Sequence, residues 1–157
     1  MSSSTNRTVT HSTFAVERVY PVSPERVFAA FADQKLKRRW FAVPDHWVDS
    51  HYSLDFRPGG SETSKGGPPG GPVHLFEARY HDIVDNERIV YSYDLYVDDK
   101  RISVSVATIE LLPDPTGTQM LFTEQGAFFD GPDGPVHREE GTQIMVDALG
   151  KVLLDDA

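Results

Sequence analysis

Cysteine is absent from all 157 residues. That removes disulfides, a thiolate nucleophile and cysteine-type zinc sites from consideration. Basic residues are also scarce, with 15 Lys and Arg against 24 Asp and Glu for a net charge of −9. Such a chain has no basic face to offer phosphates, so neither nucleic acid nor an anionic membrane is an expected partner. No apolar run approaches the length of a membrane helix. The opening MSSSTNRTVTHST lacks the apolar core of a signal peptide, and the expectation is a soluble cytoplasmic protein. The histidines are scattered at 11, 46, 51, 74, 81 and 137, with no H-E-x-x-H and no i, i+4 pair. His46, Asp49 and His51 are close in sequence but give no sharp ligand geometry, so no metal is expected. There is no dinucleotide fingerprint and no G-x-S-x-G elbow, and the glycines near residue 60 fail the phosphate-loop pattern. No cofactor is expected.

What is present reads as one domain over residues 12–157, preceded by a Ser/Thr-rich, disordered tail at 1–11. The stretch GTQIMVDALGKVLL predicts a helix from Gly141 to Leu154. Gly141, Ile144, Met145, Ala148, Leu149 and Val152 fall on one stripe, with Gln143, Asp147, Lys151 and Asp155 opposite. Nearly everything before it reads as strand, so its packing partner is a sheet. Ser12 to Tyr20 alternates, with Phe14 and Val16 on one face. Ser23 is an N-cap with Pro24 at N1, opening a short helix whose apolar face is Val27, Phe28 and Phe31. Asp33 caps a second short helix in which Leu36, Trp40 and Phe41 share a face. The cluster Lys35, Lys37, Arg38 and Arg39 reads as its solvated side.

Trp47 to Arg57 is extended. Pro58 to Pro72 is a glycine- and proline-rich loop, part of which can pair as a short strand near Ser61 to Ser64. Strands follow with Phe76, Ala78 and Tyr80 on one face, then Ile89, Tyr91, Tyr93 and Leu95, then Ser103 to Leu111 at alternate positions. Asp85-Asn86-Glu87 and Asp98-Asp99-Lys100 are the turns between them. Thr118 to Gly126 is the last strand, placing Met120, Phe122 and Glu124 together. Short turns imply an antiparallel sheet, and the order implies an α+β fold.

Five stretches together resemble a known family. They are VERVYPVSPERVFAAF, LKRRWF, LDFRPGG, RIVYSYDL and the closing TQMLFTEQGAFFDG with REEGTQIMVDALGKVL. In this order they resemble the START-like (SRPBCC) superfamily, within it the family named after the activator of Hsp90 ATPase. The resemblance implies a helix-grip fold, a twisted antiparallel sheet of about seven strands wrapped around the C-terminal helix. It also implies a cavity between sheet and helix that takes hydrophobic ligands. Two departures stand out: Thr142 rather than Trp follows Gly141, and the glycine-rich loop is long. One scaffold of this kind hosts many activities, so the fold alone does not decide function.

The strand parity turns Trp40, Tyr80, Tyr91, Tyr93, Phe122 and Phe128 toward the helix, where Met145 and Leu149 complete the lining of a ligand site. Tyrosine combines an apolar ring with a hydroxyl that needs a partner when buried. Glu124 shares that inward face. A buried carboxylate must be paired or its pKa rises, and Arg138, Arg57 and His137 are its candidate partners. Three functions follow from different classes. The first is non-enzymatic binding of a small hydrophobic or aromatic molecule. The second is a polyketide-cyclase-like enzyme using Glu124 and a tyrosine for acid–base chemistry without a metal. The third is a co-chaperone-like interaction protein. The half-apolar outer face of Ile102, Val104 and Val106 would suit a homodimer contact.

Overall fold

The structure, a computed structural model, describes residues 7–41, 46–131 and 133–155. β1 (Val9–Tyr20) leads into α1 (Pro24–Ala32) and α2 (Gln34–Trp40). Then come β2 (Val48–Leu54), β3 (Ser61–Gly67), β4 (His74–Val84), β5 (Arg88–Val97), β6 (Lys100–Asp114) and β7 (Gly117–Phe129). α3 (Gly134–Asp155) closes the chain. The seven strands form one antiparallel sheet in the order β1-β7-β6-β5-β4-β3-β2, with the helices on its concave side. This is the helix-grip arrangement.

Local chemistry sets the element boundaries. The Ser23 side chain accepts from the Arg26 N–H and Pro24 occupies the first turn of α1. The Asp33 side chain accepts from the Lys35 and Leu36 N–H groups and starts α2. Asn86, Asp98 and Asp130 adopt left-handed backbone at φ 65°, 55° and 62°, a conformation their short polar side chains tolerate.

Three boundaries differ from the sequence expectation. β1 starts at Val9, because Val9, Thr10 and His11 pair with Phe129, Phe128 and Ala127 of β7. The disordered tail expected at 1–11 is therefore too long by those residues, and residues 1–6 lie outside the described residues. The glycine-rich stretch carries a full strand, Ser61–Gly67, paired on both sides by β2 and β4. Glycine is required at position 60, where a Cβ would run into the Asp55 carbonyl oxygen. There Gly60 donates to the Arg57 carbonyl at 2.7 Å and accepts from the Tyr80 N–H at 2.9 Å.

The third difference is α3, which begins at Gly134 rather than Gly141. Its buried residues are Thr142, Val146, Leu149, Val152 and Leu153. Leu149 and Val152 belong to the expected stripe, but Ile144 is 72 % exposed, Gly141 is exposed, and Met145 and Ala148 are half-buried. The helix is rotated so that Val146 is fully buried in the core. The Tyr20 hydroxyl donates to the Val146 carbonyl at 2.7 Å, which pins that rotation. α3 runs close to β1, β7, α1 and α2 rather than to β4 and β5. From its first half the Arg138 side chain reaches Tyr93 of β5 and Ser103 of β6.

Candidate functional site

Each strand reaches the concave face with alternate residues, so burial reports the parity. Tyr80, Tyr91 and Tyr93 are buried, as are Trp40, Phe122, Glu124, Phe128 and Leu149, all expected at the inner face. Met145 is half-buried beside them. The structure divides this set. Phe122 and Leu149 are part of the central core. The rest line two polar networks joined by a row of aromatic rings.

The first network is built on Glu124 of β7. The Tyr93 hydroxyl of β5 lies 2.9 Å from both carboxylate oxygens and donates to them. Arg138 reaches down from the second turn of α3. Its Nη1 donates to the Tyr93 hydroxyl at 2.8 Å and to Glu124 Oε2 at 3.3 Å. Its Nη2 donates to Ser103 Oγ at 2.7 Å. The guanidinium also lies over the Tyr93 and Phe128 rings, 5.4 and 5.0 Å from their centroids. Of the three expected partners for Glu124, Arg138 is the one in place. Arg57 instead pairs with Asp55 at 2.9 Å on the surface, and His137 is exposed.

Two opposing effects act on Glu124. Burial raises its pKa above the ordinary carboxylate value, and it is the larger effect. Arg138 and the hydrogen bonds from Tyr93 and Ser105 pull it back. Tyr93 is raised as well, chiefly by burial and then by the Glu124 charge. The phenol therefore remains a proton donor over the physiological range.

The second network was not expected. Lys37 of α2, read from sequence as part of a solvated basic face, is 2 % exposed, and Glu62 of β3 is 0 % exposed. Lys37 Nζ donates to Glu62 Oε1 at 3.1 Å. Tyr80 and Tyr52 donate to the same carboxylate at 2.6 Å each. The ammonium also sits over the rings of Phe31, Trp40 and Phe41 at 5.7, 5.3 and 4.7 Å. One sequence signal was available. Lys37 stands three residues before Trp40, which places the two on one helical face.

Aromatic rings bridge the networks. Phe76 lies 5.0 Å from Phe41 and 4.8 Å from Tyr93. Tyr91 stands between Tyr80 at 5.6 Å and Tyr93 at 6.0 Å. No group of three potential metal ligands occurs among the described residues. His46 and His51 are exposed, and the side chain of Asp49 lies outside the described residues. Among the described residues no helix is long and apolar enough to cross a membrane.

A sheet that grips its last helix around a buried, aromatic and partly ionised interior defines a START-like α+β domain. The particular family follows from comparison. Residues 21–153 match the model of the family described as activator of Hsp90 ATPase homolog 1-like protein, and the chain belongs to it. A crystal structure of a Rhizobium loti protein is 46 % identical, with 92 % of this chain and 99 % of that one covered and a TM-score of 0.87. A Rhizobium leguminosarum protein is 40 % identical over 95 % of this chain and 98 % of its own, at a TM-score of 0.89. An activator-like protein from Aeromonas hydrophila shares the fold at 18 % identity and a TM-score of 0.67, over 92 % and 94 % of the two chains. No curated protein matches the chain.

Proposed function

We propose that this protein binds a small, largely apolar molecule between the first half of α3 and the inner surfaces of β5 and β6. The observation that carries this reading is Arg138. It crosses from the helix to the sheet over small side chains of β6, donating to Ser105 Oγ at 3.5 Å and Ser103 Oγ at 2.7 Å. Displacing that side chain would open space over the small ones without moving the backbone, at the cost of its bonds to Tyr93, Glu124 and Ser103. The surrounding walls suit an apolar guest, since Phe76, Leu95 and Met145 are only half-buried. Tyr91, Tyr93, Glu124 and Phe128 complete the lining, while Trp40 and Tyr80 stand behind Phe76 on the Lys37 side. Two surface depressions lie elsewhere. One, of about 810 Å³, is lined by Arg7, Lys100 and Phe129, and the other, of about 290 Å³, lies on the outer face by Val104 and Val106.

Thermal denaturation against aromatic, polyketide-like and fatty compounds tests the reading. A guest at a hundred times its Kd adds about 2.7 kcal/mol, which raises Tm by roughly 5–10 °C at this chain length. Arg138→Ala, which uncovers the small side chains of β6, should change the guest's affinity. No shift across the panel, in either protein, sinks the proposal.

A second reading, acid–base catalysis on a bound carbonyl compound, draws on Glu124. Its raised pKa and its contact with a protonated phenol are what such chemistry uses. Loss of turnover in Glu124→Gln with binding retained would support it. A role on a chaperone ATPase has only the family name behind it and ranks third.

A further inference from the structure

The inward tyrosine hydroxyls are committed, with one exception. Tyr20 donates to a helix carbonyl, Tyr52 and Tyr80 to Glu62, and Tyr93 to Glu124. Tyr91 is 5 % exposed, yet its hydroxyl makes no hydrogen bond among the described residues. No described side-chain oxygen or nitrogen that is fully sealed from solvent lacks a partner. The Tyr91 hydroxyl therefore borders space that a water-sized molecule can reach. A largely buried phenol without a protein partner is unusual, and its hydrogen bond falls to water or a guest.

Two of its neighbours are small. Across the sheet Tyr91 faces Ala107 of β6 on one side and Tyr80 of β4 on the other, with Ala78 diagonal to it. Phe76 stands edge-on at 6.5 Å and is half-buried. Two carboxylates act on Tyr91 electrostatically, Glu124 from one network and Glu62 from the other.

Resting on the binding reading above, we infer that the Tyr91 hydroxyl is the specificity-determining donor for the oxygen of a neutral carbonyl group on an aromatic guest. The chemistry favours that class over the alternatives. Burial, and then Tyr93 and the two carboxylates, hold the phenol well above its usual range, so it keeps its proton and donates. An anionic guest would bring a further negative charge beside Glu62 and Glu124. Their own cations, Lys37 and Arg138, are already engaged. A pure hydrocarbon would leave the phenol without a partner. A ketone supplies the missing acceptor, and its aromatic body matches the rings of Phe76 and Tyr93 beside Tyr91.

Three matched probes test this by titration calorimetry on the full chain: acetylnaphthalene, ethylnaphthalene and naphthoate. The wild type should bind the ketone about tenfold more tightly than the hydrocarbon, the worth of one buried hydrogen bond. Tyr91→Phe should bring that ratio near one, with hydrocarbon affinity and Tm unchanged. A ratio that survives in Tyr91→Phe overturns the inference and leaves the binding reading intact. So does naphthoate as the tightest probe. A fall in Tm of more than about 3 °C in Tyr91→Phe would show that the hydroxyl is bonded within the protein, which also overturns it. If the wild type binds none of the three, the binding reading falls and takes the inference with it.

Discussion

Replacing Lys37 by methionine keeps most of the side chain's length and removes its charge. Glu62 would remain 0 % exposed with Tyr52 and Tyr80 as donors and without its cation. Deleting one partner of a buried ion pair costs about 3–5 kcal/mol, because the other charge stays desolvated. Methionine recovers some packing against Phe31, Trp40 and Phe41 but loses the attraction of three rings for the ammonium. The expected loss is about 3–4 kcal/mol, a fall in Tm of roughly 6–16 °C at this size. Glu62→Gln should cost less, about 2 kcal/mol, since the amide oxygen still accepts from the tyrosines and the rings still hold the cation. The double variant should then be more stable than the sum of the singles implies, by about 2 kcal/mol. Urea unfolding at neutral pH, followed by far-ultraviolet circular dichroism, measures all three. A cost below about 1 kcal/mol for Lys37→Met, or a coupling near zero, would refute the argument that the pair acts as a buried ion pair.

Two further outcomes follow from the same geometry. Glu124 has a folded-state pKa above its unfolded value, so the folded state holds its proton more tightly. Its contribution is fully present below the unfolded pKa and is lost as pH rises through the raised folded pKa. Stability of Glu124→Gln relative to wild type should therefore improve as pH rises through that window, in urea titrations from about pH 4 to about pH 8. A flat difference would contradict the raised pKa. In the turn before β3, Gly60→Ala drives a methyl group into the Asp55 carbonyl and should cost about 2–4 kcal/mol by thermal melting. Gly59→Ala, at φ 83° in open space, carries only the backbone strain of about 1 kcal/mol and is the control.

The strands were legible because alternation is a local property. Tyr80, Tyr91, Tyr93, Phe122 and Glu124 could be turned inward from sequence by counting in twos, and Arg138 could be named as a partner for Glu124. The pairing of Lys37 with Glu62 could not be read in this way. Lys37 sits in a run of cations, where hydration is the usual outcome, and Glu62 sits among glycines with little strand propensity of their own. Glu62 is buried because β2 and β4 flank its strand, a relation set by residues before and after it. The phase of α3 was ambiguous for a different reason. Its apolar residues outnumber one face, so hydropathy alone allowed the stripe through Ile144. A tyrosine hydroxyl on β1 and a helix carbonyl, 126 residues apart, decide the rotation instead.

The sheet order also has a consequence in time. Among the described strands β1 is the first to leave the ribosome, and it pairs with β7, the last one made. At about 5–20 residues per second the first strand waits on the order of 5–25 s with both edges bare. Its length and apolar positions make that interval a hazard for pairing with other chains. The polar residues interleaved along it, including His11, Thr13, Glu17 and Arg18, then serve the nascent chain as much as the folded one. Chaperone demand should therefore fall most sharply in a permuted chain that places β1 after β7.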